Sequence, residues 1–256
     1  MGAIRLDKYL AESGAGTRSE VKKLIGKGRI KVNGRVVDNA GMKLSDGDEV
    51  TLDGELLLHE NYSYYMLNKP RGVVSATEDN LNRTVLDILK GEKARGLFPM
   101  GRLDKDTEGL LVISNDGNLS HLLLSPGKHV SKTYYIIADN KLTEDNMIQF
   151  EKGIDIGEDK PCKSAVIEAV DENASVVASD GEKITGYPYK LTITEGKYHQ
   201  VKRMFHACGS EVIYLKRLSM GKLLLDEQLK CGEYRKLTEN EIELLRSSLQ
   251  QINMCD

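Results

Sequence analysis

The sequence is poor in cysteine and has none of the common metal-binding patterns. Its four cysteines form no CxxC pair, and its five histidines form no HExxH motif. Zinc sites built on these patterns are therefore excluded, and we expect no metal centre. So few cysteines, so far apart, are typical of a protein that remains in the reducing cytoplasm.

Long apolar runs are also missing. No stretch of about 18 apolar residues is present, which excludes a conventional membrane-spanning helix. The first residues, MGAIRLDKYL, lack the basic segment followed by an apolar segment that marks a secretory signal. We therefore expect a cytoplasmic protein with no membrane partner.

An overall excess of basic residues is absent too, because the net charge is −3. The charges are unevenly distributed, however. Residues 5–35 contain nine Lys or Arg against three Asp or Glu, residues 197–222 contain six against one, and residues 139–182 contain twelve acids against four lysines. Two basic segments on an acidic body are typical of a protein that binds phosphates at chosen places. Solvated charged faces are the alternative for either segment alone.

The first 58 residues predict a small separate unit. Leu6, Tyr9 and Leu10 mark one face of a helix, and Thr17 with Glu20 forms a capping box at the start of a second helix. Asn33-Gly34, between segments rich in β-formers, predicts a hairpin. We place a linker at residues 59–63 and a larger domain at residues 64–256.

The larger domain predicts an α+β fold. Its strands are YYMLNK, GLLVIS, KTYYIIA and YKLTITEG, and its helices are TVLDILKG, NLSHLLLS, a segment near residues 144–150, HQVKRMFHA and a capped C-terminal helix. These elements do not alternate regularly as β-α-β units. We therefore expect a mixed, mainly antiparallel sheet with flanking helices.

The segment from residue 101 to residue 117, GRLDKDTEGLLVISNDG, is unusually rich in acids around an apolar run. Asp116 precedes Gly117 and is interpreted as a turn former. Asp104, Asp106 and Glu108 fit three arrangements: a magnesium site, a carboxylate pair, or one catalytic aspartate with loop-forming neighbours. The residues alone leave these alternatives open.

The N-terminal segment, RLDKYLAESGAGTRSEVKKLIGKGRIKVNGRVV, resembles an S4 domain, an RNA-binding module. The resemblance implies that its helix and hairpin hold structured RNA by the phosphates, which positions the protein without reading bases. The basic residues expected to contact RNA there are Arg5, Lys8, Arg18, Lys22, Lys23, Lys27, Arg29 and Lys31.

Four later stretches resemble the motifs of the pseudouridine synthases that carry an S4 domain. In chain order they are YYMLNKPRGVVSA, GRLDKDTEGLLVISNDG, KHVSKTYYI and EGKYHQVKRMFHACG. The resemblance implies that the protein breaks the N-glycosidic bond of a uridine in RNA, rotates the base and rejoins it through carbon 5. It implies no cofactor, because the product is an isomer of the substrate.

Site residues follow from the same resemblance. Asp104 is expected to be the catalytic aspartate, acting as nucleophile or as base, and Tyr134 is expected to stack on the flipped uracil. Arg203 is the predicted cation that keeps the carboxylate ionised. Lys202, the next residue on the helix, is expected to face another direction and to meet phosphate.

Further residues receive supporting roles. Arg102 is expected to fill the gap left by the flipped base or to hold its phosphate. Asn68, Lys69 and Arg71 are expected to support the site or contact RNA, and Leu237 to pack near it or in the core. We assign no catalytic role to His199 or His206, because surface histidines commonly accompany basic segments.

The substrate is predicted from finer similarity. EGKYHQVKRMF and LLSPGKHVSKTY resemble the enzymes of the small ribosomal subunit more than those of the large subunit. The expected substrate is a single uridine in the 530-loop helix of 16S rRNA, modified by a monomer, within a small-subunit assembly intermediate. Large-subunit rRNA, a catalytically silent assembly factor, and a metal-dependent RNA hydrolase remain alternatives.

Overall fold

The computed structural model describes residues 4–13, 15–45, 47–57, 62–92 and 96–249. The chain forms two compact units, Met1–Tyr62 and Ser63–Asp256. Residues 59–61 of the predicted linker lie outside the described residues. Within the described ranges, no helix has the length and apolarity needed to cross a membrane.

The first unit consists of two helices and short strands. The elements are β1 (Ile4–Arg5), α1 (Leu6–Glu12), α2 (Arg18–Gly26), β2 (Ile30–Val32), β3 (Arg35–Val36), β4 (Lys43–Leu44), β5 (Val50–Leu52) and β6 (Glu55–Leu56). Strands β2, β3, β5 and β6 form one sheet in the order β3-β2-β5-β6, and β1 pairs with β4.

The local signals of this unit are confirmed. The Thr17 hydroxyl accepts from the backbone N–H of Glu20, and the Glu20 carboxylate accepts from the N–H of Thr17. Asn33 and Gly34 join β2 to β3 with φ of 50° and 79°, the left-handed geometry that a two-residue hairpin turn requires. The apolar faces of both helices and of the sheet close one small core.

The second unit is built on a ten-stranded sheet with helices. Its elements are β7 (Tyr64–Lys69), α3 (Val85–Ile88), β8 (Phe98–Pro99), β9 (Glu108–Ser114), α4 (Gly117–Leu124), β10 (Lys132–Ala138), α5 (Glu144–Lys152), β11 (Val166–Ala169), β12 (Ala174–Val177), β13 (Lys183–Ile193), α6 (Gln200–Ala207), β14 (Val212–Met220), β15 (Leu223–Leu224), β16 (Tyr234–Lys236) and α7 (Glu239–Ser247).

The principal strand order is β11-β13-β10-β14-β9-β7-β16, with β12 beside β13, β15 beside β14 and β8 beside β9. The pairing of β9 with β14 is parallel, whereas the other pairings are antiparallel. The predicted α+β fold on a mixed, mainly antiparallel sheet is confirmed.

One face of this sheet carries the main core. Successive strand residues point to opposite faces, so Tyr134 and Ile136 face this core while Tyr135 stacks edge-on against Tyr214 in a separate cluster. Phe150 of α5 and Phe205 of α6 meet over the main core with ring centroids 5.3 Å apart. The helix that carries the HQVKRMF motif is therefore packed against the sheet by its apolar side.

Asp116 is a helix cap, and its interpretation as a turn former is wrong. Its Oδ1 accepts from the N–H of Leu119 at the start of α4, and its Oδ2 accepts from the Tyr64 hydroxyl at 2.6 Å. Both oxygens are used inside the fold, and the residue is buried. Asp116 therefore connects α4 to β7 and has no part in the site described next.

Candidate active site

A buried lysine supports the acidic loop between β8 and β9 from the protein interior. Lys69, at the end of β7, donates from Nζ to the carbonyl oxygens of Asp104 at 3.0 Å, Thr107 at 2.8 Å and Lys105 at 3.3 Å. It also donates to the carbonyl of Pro70. One ammonium thus satisfies several backbone acceptors of the loop.

The segment after β7 supports the same loop. The Ser75 hydroxyl donates to the carbonyl of Leu103 and accepts from its N–H, at 2.9 and 3.1 Å. The N–H of Gly72 donates to the carbonyl of Lys105 at 2.8 Å. The NKPRGVVS motif therefore positions the GRLDKD motif through main-chain contacts.

Asp104 opens onto a cleft of about 470 Å³, within the range of roughly 300–1,000 Å³ usual for small-ligand sites. Its side chain is 28% exposed, so the carboxylate is accessible to a substrate. The lining residues are Arg71, Gly72, Asp104, Lys105, Asp106, Asp180, His199 and Lys202.

Two side chains from the start of α6 approach the Asp104 carboxylate. Lys202 Nζ lies 3.5 Å from Oδ2, and His199 Nε2 lies 3.5 Å from Oδ1. Lys202 also donates to both oxygens of Asp106, at 2.7 and 2.8 Å. Burial alone would raise the pKa of Asp106, but the hydrogen bond and the charge of Lys202 outweigh it and lower that pKa below its ordinary value.

The prediction that Arg203 faces the catalytic aspartate is wrong. Its guanidinium donates to the Glu158 carboxylate at 2.5 Å, to the carbonyl of Ile156 at 2.5 Å and to the carbonyl of Tyr198 at 3.3 Å. Neighbours on a helix lie about 100° apart, so only one of Lys202 and Arg203 can face the loop. That residue is Lys202, which was expected to face elsewhere.

The expectation that Lys69 contacts RNA is also wrong, because Lys69 is completely buried. Burial lowers its pKa to about 8, against the opposing attraction of Asp106 and Asp104. Asn68 is likewise buried, and its amide donates to the carbonyl of Leu229. Both residues support the site from inside.

The three acids of the loop do not converge on a magnesium site. Glu108 is buried and turned away, accepting from the Tyr214 hydroxyl at 2.9 Å and from the N–H of Ser179 at 2.7 Å. Asp106 is occupied by Lys202. Across the described residues, no group of three or more His, Cys, Asp or Glu side chains could hold a metal ion.

Arg71 lines the cleft with its guanidinium already engaged. It donates to Glu182 at 2.7 Å, to Asp180 at 3.4 Å and to the carbonyl of Ile213, and its charged carbon lies 5.9 Å from the centre of the Tyr214 ring. RNA phosphate would therefore have to displace the two carboxylates to bind Arg71.

The other predicted residues are distributed as follows. Tyr134 is 7% exposed and packs in the main core together with Leu103, the chain neighbour of Asp104. Arg102 is exposed on the same loop, and Leu237 is buried beside β7, donating its N–H to the carbonyl of Tyr64. His206 is exposed and contacts Glu211.

The first unit presents basic side chains on α2 and the following hairpin. Arg5 and Arg29 are exposed but paired with Asp7 and Asp53, and Lys8 is half-buried. The remaining predicted RNA contacts are all exposed: Arg18, Lys22, Lys23, Lys27 and Lys31.

His199 lines the cleft, although we assigned it no catalytic role from the sequence. It adopts a left-handed backbone, with φ of 48°, immediately before α6. No pattern in the sequence indicates that conformation, because only the fold shows that the ring turns toward Asp104. Its place between Lys197 and Lys202 in a basic segment suggested an ordinary surface histidine.

Comparison with known families agrees with this architecture. Residues 4–50 match the S4 domain, and residues 63–207 match the family model described as RNA pseudouridylate synthase. The chain belongs to the RNA pseudouridylate synthase family. An RNA-modifying isomerase with an N-terminal S4 domain is thereby confirmed.

Similar proteins extend over nearly the whole chain. An uncharacterized RNA pseudouridine synthase of Bacillus subtilis is 46% identical, covering 94% of this chain and 98% of its own length. The ribosomal small subunit pseudouridine synthase A of Escherichia coli is 40% identical, over 93% and 98%. A crystal structure of a pseudouridylate synthase is 39% identical, with a TM-score of 0.65, over 95% of this chain and all of that one.

The cleft beside the acidic loop combines an accessible carboxylate with a cation and an imidazole. Hydrogen bonds from β7 and the segment that follows it fix the main chain of the loop. A carboxylate held in this way needs no rearrangement when a ligand arrives.

Proposed function

We propose that the protein converts one uridine of small-subunit ribosomal RNA to pseudouridine, with Asp104 as the catalytic carboxylate. The observation that carries the proposal is the position of Asp104. It is the partly exposed acid of a clamped loop, with Lys202 and His199 each 3.5 Å away. Asp106 is tied to Lys202, and Glu108 is buried, so neither competes for the role.

The reaction exchanges one bond of the ribose for another. The bond from C1′ to N1 of uracil breaks, the base turns, and C1′ joins C5. The proton on C5 is lost and N1 gains one, so the overall change is an isomerisation. The Asp104 carboxylate serves either as the nucleophile toward the sugar or base, or as the base that removes a proton.

The surrounding side chains orient this carboxylate and the uracil. The ammonium of Lys202 attracts the Asp104 carboxylate and, through Asp106, is itself fixed in direction. Tyr134 is proposed to present its ring to the flipped base, in keeping with its place in the main core that also contains Leu103, the chain neighbour of Asp104. Arg102, exposed on the catalytic loop, is proposed to replace the flipped base or hold its phosphate.

RNA is proposed to bind first through phosphates. The exposed lysines and arginine of α2 and the hairpin form a basic surface of the kind that positions a protein on RNA without reading sequence. Selection of one uridine would then rest on the shape of the folded RNA around it. The proposed partner is a small-subunit assembly intermediate, bound by a monomer in the cytoplasm.

The choice of ribosomal subunit rests on the relatives. Proteins named ribosomal small subunit pseudouridine synthase A, from Escherichia coli and Haemophilus influenzae, are 40% and 39% identical over 93% and 94% of this chain. Their names support the small subunit. The uridine in the 530-loop helix of 16S rRNA is the proposed target.

Pseudouridine mapping in both ribosomal RNAs tests the substrate. In cells that lack the protein, one site in 16S rRNA should lose its pseudouridine. Wild-type protein should restore it, whereas an Asp104→Asn variant produced at the same level should not. Loss of a 23S site instead would transfer the activity to the large subunit, and no change at any site would favour a silent assembly factor.

Replacing each of the two neighbouring cations of α6, Lys202 and Arg203, by an uncharged residue tests the geometry of the site. Lys202→Met should lower turnover at saturating RNA by about 100-fold or more, because it removes the cation nearest the reacting carboxylate. Arg203→Gln should leave turnover within a few-fold of wild type, since Arg203 contacts Glu158 and backbone carbonyls. Single-turnover assays of both variants check this. A larger loss for Arg203→Gln than for Lys202→Met would contradict the assignment.

A further inference from the structure

Two aromatic rings lie together at the mouth of the cleft. Tyr198 and His199 are stacked, with ring centroids 3.9 Å apart and planes inclined by 17°. Tyr198 is 72% exposed, which is high for so large a ring. The ring of Tyr198 is therefore accessible from solvent, where a base could stack on it.

The stack depends on an uncommon backbone conformation. Adjacent side chains normally diverge, but His199 has φ of 48° and ψ of 34°, the left-handed region that residues other than glycine seldom adopt. Such a conformation persists only where the surroundings enforce it, and it is common at functional sites. Here it places the imidazole against the tyrosine ring, with Nε2 3.5 Å from Oδ1 of Asp104.

The loop before α6 enforces this conformation through many contacts. Arg203 donates to the carbonyl of Tyr198 while also binding Glu158 and the carbonyl of Ile156. Lys197 donates from Nζ to the carbonyl of Lys160 at 2.7 Å, and its N–H donates to Gln200 at 2.9 Å. The aromatic pair is therefore carried on a rigid support.

The pair is also aligned with the proposed reaction centre. His199 lines the cleft with its Nε2 3.5 Å from Asp104, and Tyr198 stacks on the face of the same imidazole. A uracil at Asp104 would thus lie close to the imidazole, and a nucleotide next to it in the RNA chain would be within reach of the exposed tyrosine ring.

We propose that Tyr198 and His199 form a stacking platform for a nucleobase adjacent to the target uridine. This proposal rests on the proposed function, because it takes RNA as the ligand. Aromatic side chains bind bases of any sequence through their faces, and nearby cations hold the phosphates. The platform would hold the strand while the uridine is turned out.

The platform gives Arg203 a specific task. Its bond to the carbonyl of Tyr198 fixes the residue that carries the exposed ring, while its other bonds anchor it to residues 156–158. Arg203 is then a positioning residue for RNA binding. Its replacement should raise KM for RNA more than it lowers kcat, which separates it from Lys202.

Fluorescence of a base analogue tests the platform directly. The probe is an RNA hairpin with the sequence around the target uridine and 2-aminopurine at one or the other neighbouring position. The full-length protein carries Asp104→Asn, so that binding is observed without turnover. Stacking should quench one of the two probes on binding, and Tyr198→Leu in the same background should remove the quenching and weaken binding about 10-fold.

Tyr198→Phe is the matched control, because it keeps the ring and removes the hydroxyl. It should bind and quench like the parent protein. If Tyr198→Leu quenches the probe and binds RNA as well as the parent protein, the platform is overturned. Equal losses in the Phe and Leu variants would also overturn it, because they would assign the effect to the hydroxyl. Because Tyr198 is exposed, Tyr198→Leu should melt at the parent temperature. If it does not, Arg203→Gln, which leaves the ring in place, must still reduce the quenching, and unchanged quenching there would also overturn the platform.

The two proposals can fail separately. Quenching is measured in an inactive protein, so it does not depend on pseudouridine formation. If wild-type protein makes no pseudouridine in this hairpin while Tyr198-dependent quenching persists, the proposed reaction fails and the platform stands. If pseudouridine forms at equal rates with Tyr198 and Tyr198→Leu and no probe is quenched, the platform fails and the reaction stands.

Discussion

Asp104→Asn should lower the rate of pseudouridine formation by about four orders of magnitude or more while leaving RNA affinity nearly unchanged. The amide has the size of the carboxylate but can act neither as a nucleophile nor as a base. Lys69 binds the carbonyl oxygens of this loop and not the Asp104 side chain, so the loop should keep its shape in the variant. Single-turnover rates check the loss of activity, and binding constants for the same RNA fragment check that affinity is unchanged.

Asp106→Asn is the matched control for this experiment. Asp106 is two residues away, lines the same cleft and binds the same lysine, so it shares the environment without the proposed role. We expect the activity of Asp106→Asn to stay within about tenfold of wild type, because the variant loses only the ion pair between Asp106 and Lys202. Equal losses in the two variants would mean that the loop needs both carboxylates, and weakened binding by Asp104→Asn would make Asp104 a structural residue.

Lys69→Met should destabilise the second unit by about 3 kcal/mol or more and lower turnover as well. The substitution removes the donor to four carbonyl oxygens. The carbonyls of Lys105 and Asp104 keep the N–H groups of Gly72 and Thr107 as donors, whereas those of Thr107 and Pro70 lose their described donor, at a cost of about 1–3 kcal/mol for each buried acceptor. Because three of these carbonyls belong to residues 104–107, the loop that carries Asp104 should lose its fixed position. Urea unfolding measures the first effect, and single-turnover assays measure the second.

The pH dependence of this effect has a defined sign. The pKa of Lys69 is lowered to about 8 in the native protein, from 10.5. Between those values the unfolded chain binds a proton that the native protein does not, so the stability contributed by Lys69 rises with pH, by at most about 1.4 kcal/mol per pH unit. The stability difference between wild type and Lys69→Met should therefore widen from about pH 8 to about pH 10. A constant difference would show that Lys69 remains charged in the native protein.

Lys132→Met provides the comparison for Lys69→Met. Lys132 is also buried, with its pKa lowered to about 8 by burial and by the charge of Arg217. Its Nζ donates to one described carbonyl, that of Val130. We therefore expect a stability loss closer to about 1 kcal/mol. A larger loss for Lys132→Met than for Lys69→Met would contradict the view that the number of lost carbonyl partners sets the effect.

Local signals in the sequence predicted most of the elements. The capping boxes at Thr17 and Thr238 begin helices as expected, and Asn33-Gly34 forms a hairpin. These signals act between residues at most a few positions apart, so they can be recognised without knowledge of the fold. The family motifs identified the reaction for a related reason, since each motif is a short continuous segment of the chain.

Contacts between distant segments could not be predicted from the sequence in the same way. Lys69 is as charged as any surface lysine, and only the approach of residues 104–107 explains its burial. The choice between Lys202 and Arg203 depended on the rotation of α6 about its axis. That rotation is set by the packing of Phe205 and Met204 on the sheet and by the left-handed turn at His199.

By itself, the sequence determined the two-part α+β organisation, the family and its reaction, and Asp104 as the leading candidate for catalysis. Turn chemistry, hydrophobic periodicity and contiguous motifs are properties of neighbouring residues, and they need no knowledge of the fold. The tertiary structure alone decided that Lys202 and His199 face Asp104, that Lys69 supports the loop from inside and that Arg203 holds Tyr198. Each of these depends on the direction of a side chain relative to a segment far away in the chain, and packing fixes that direction.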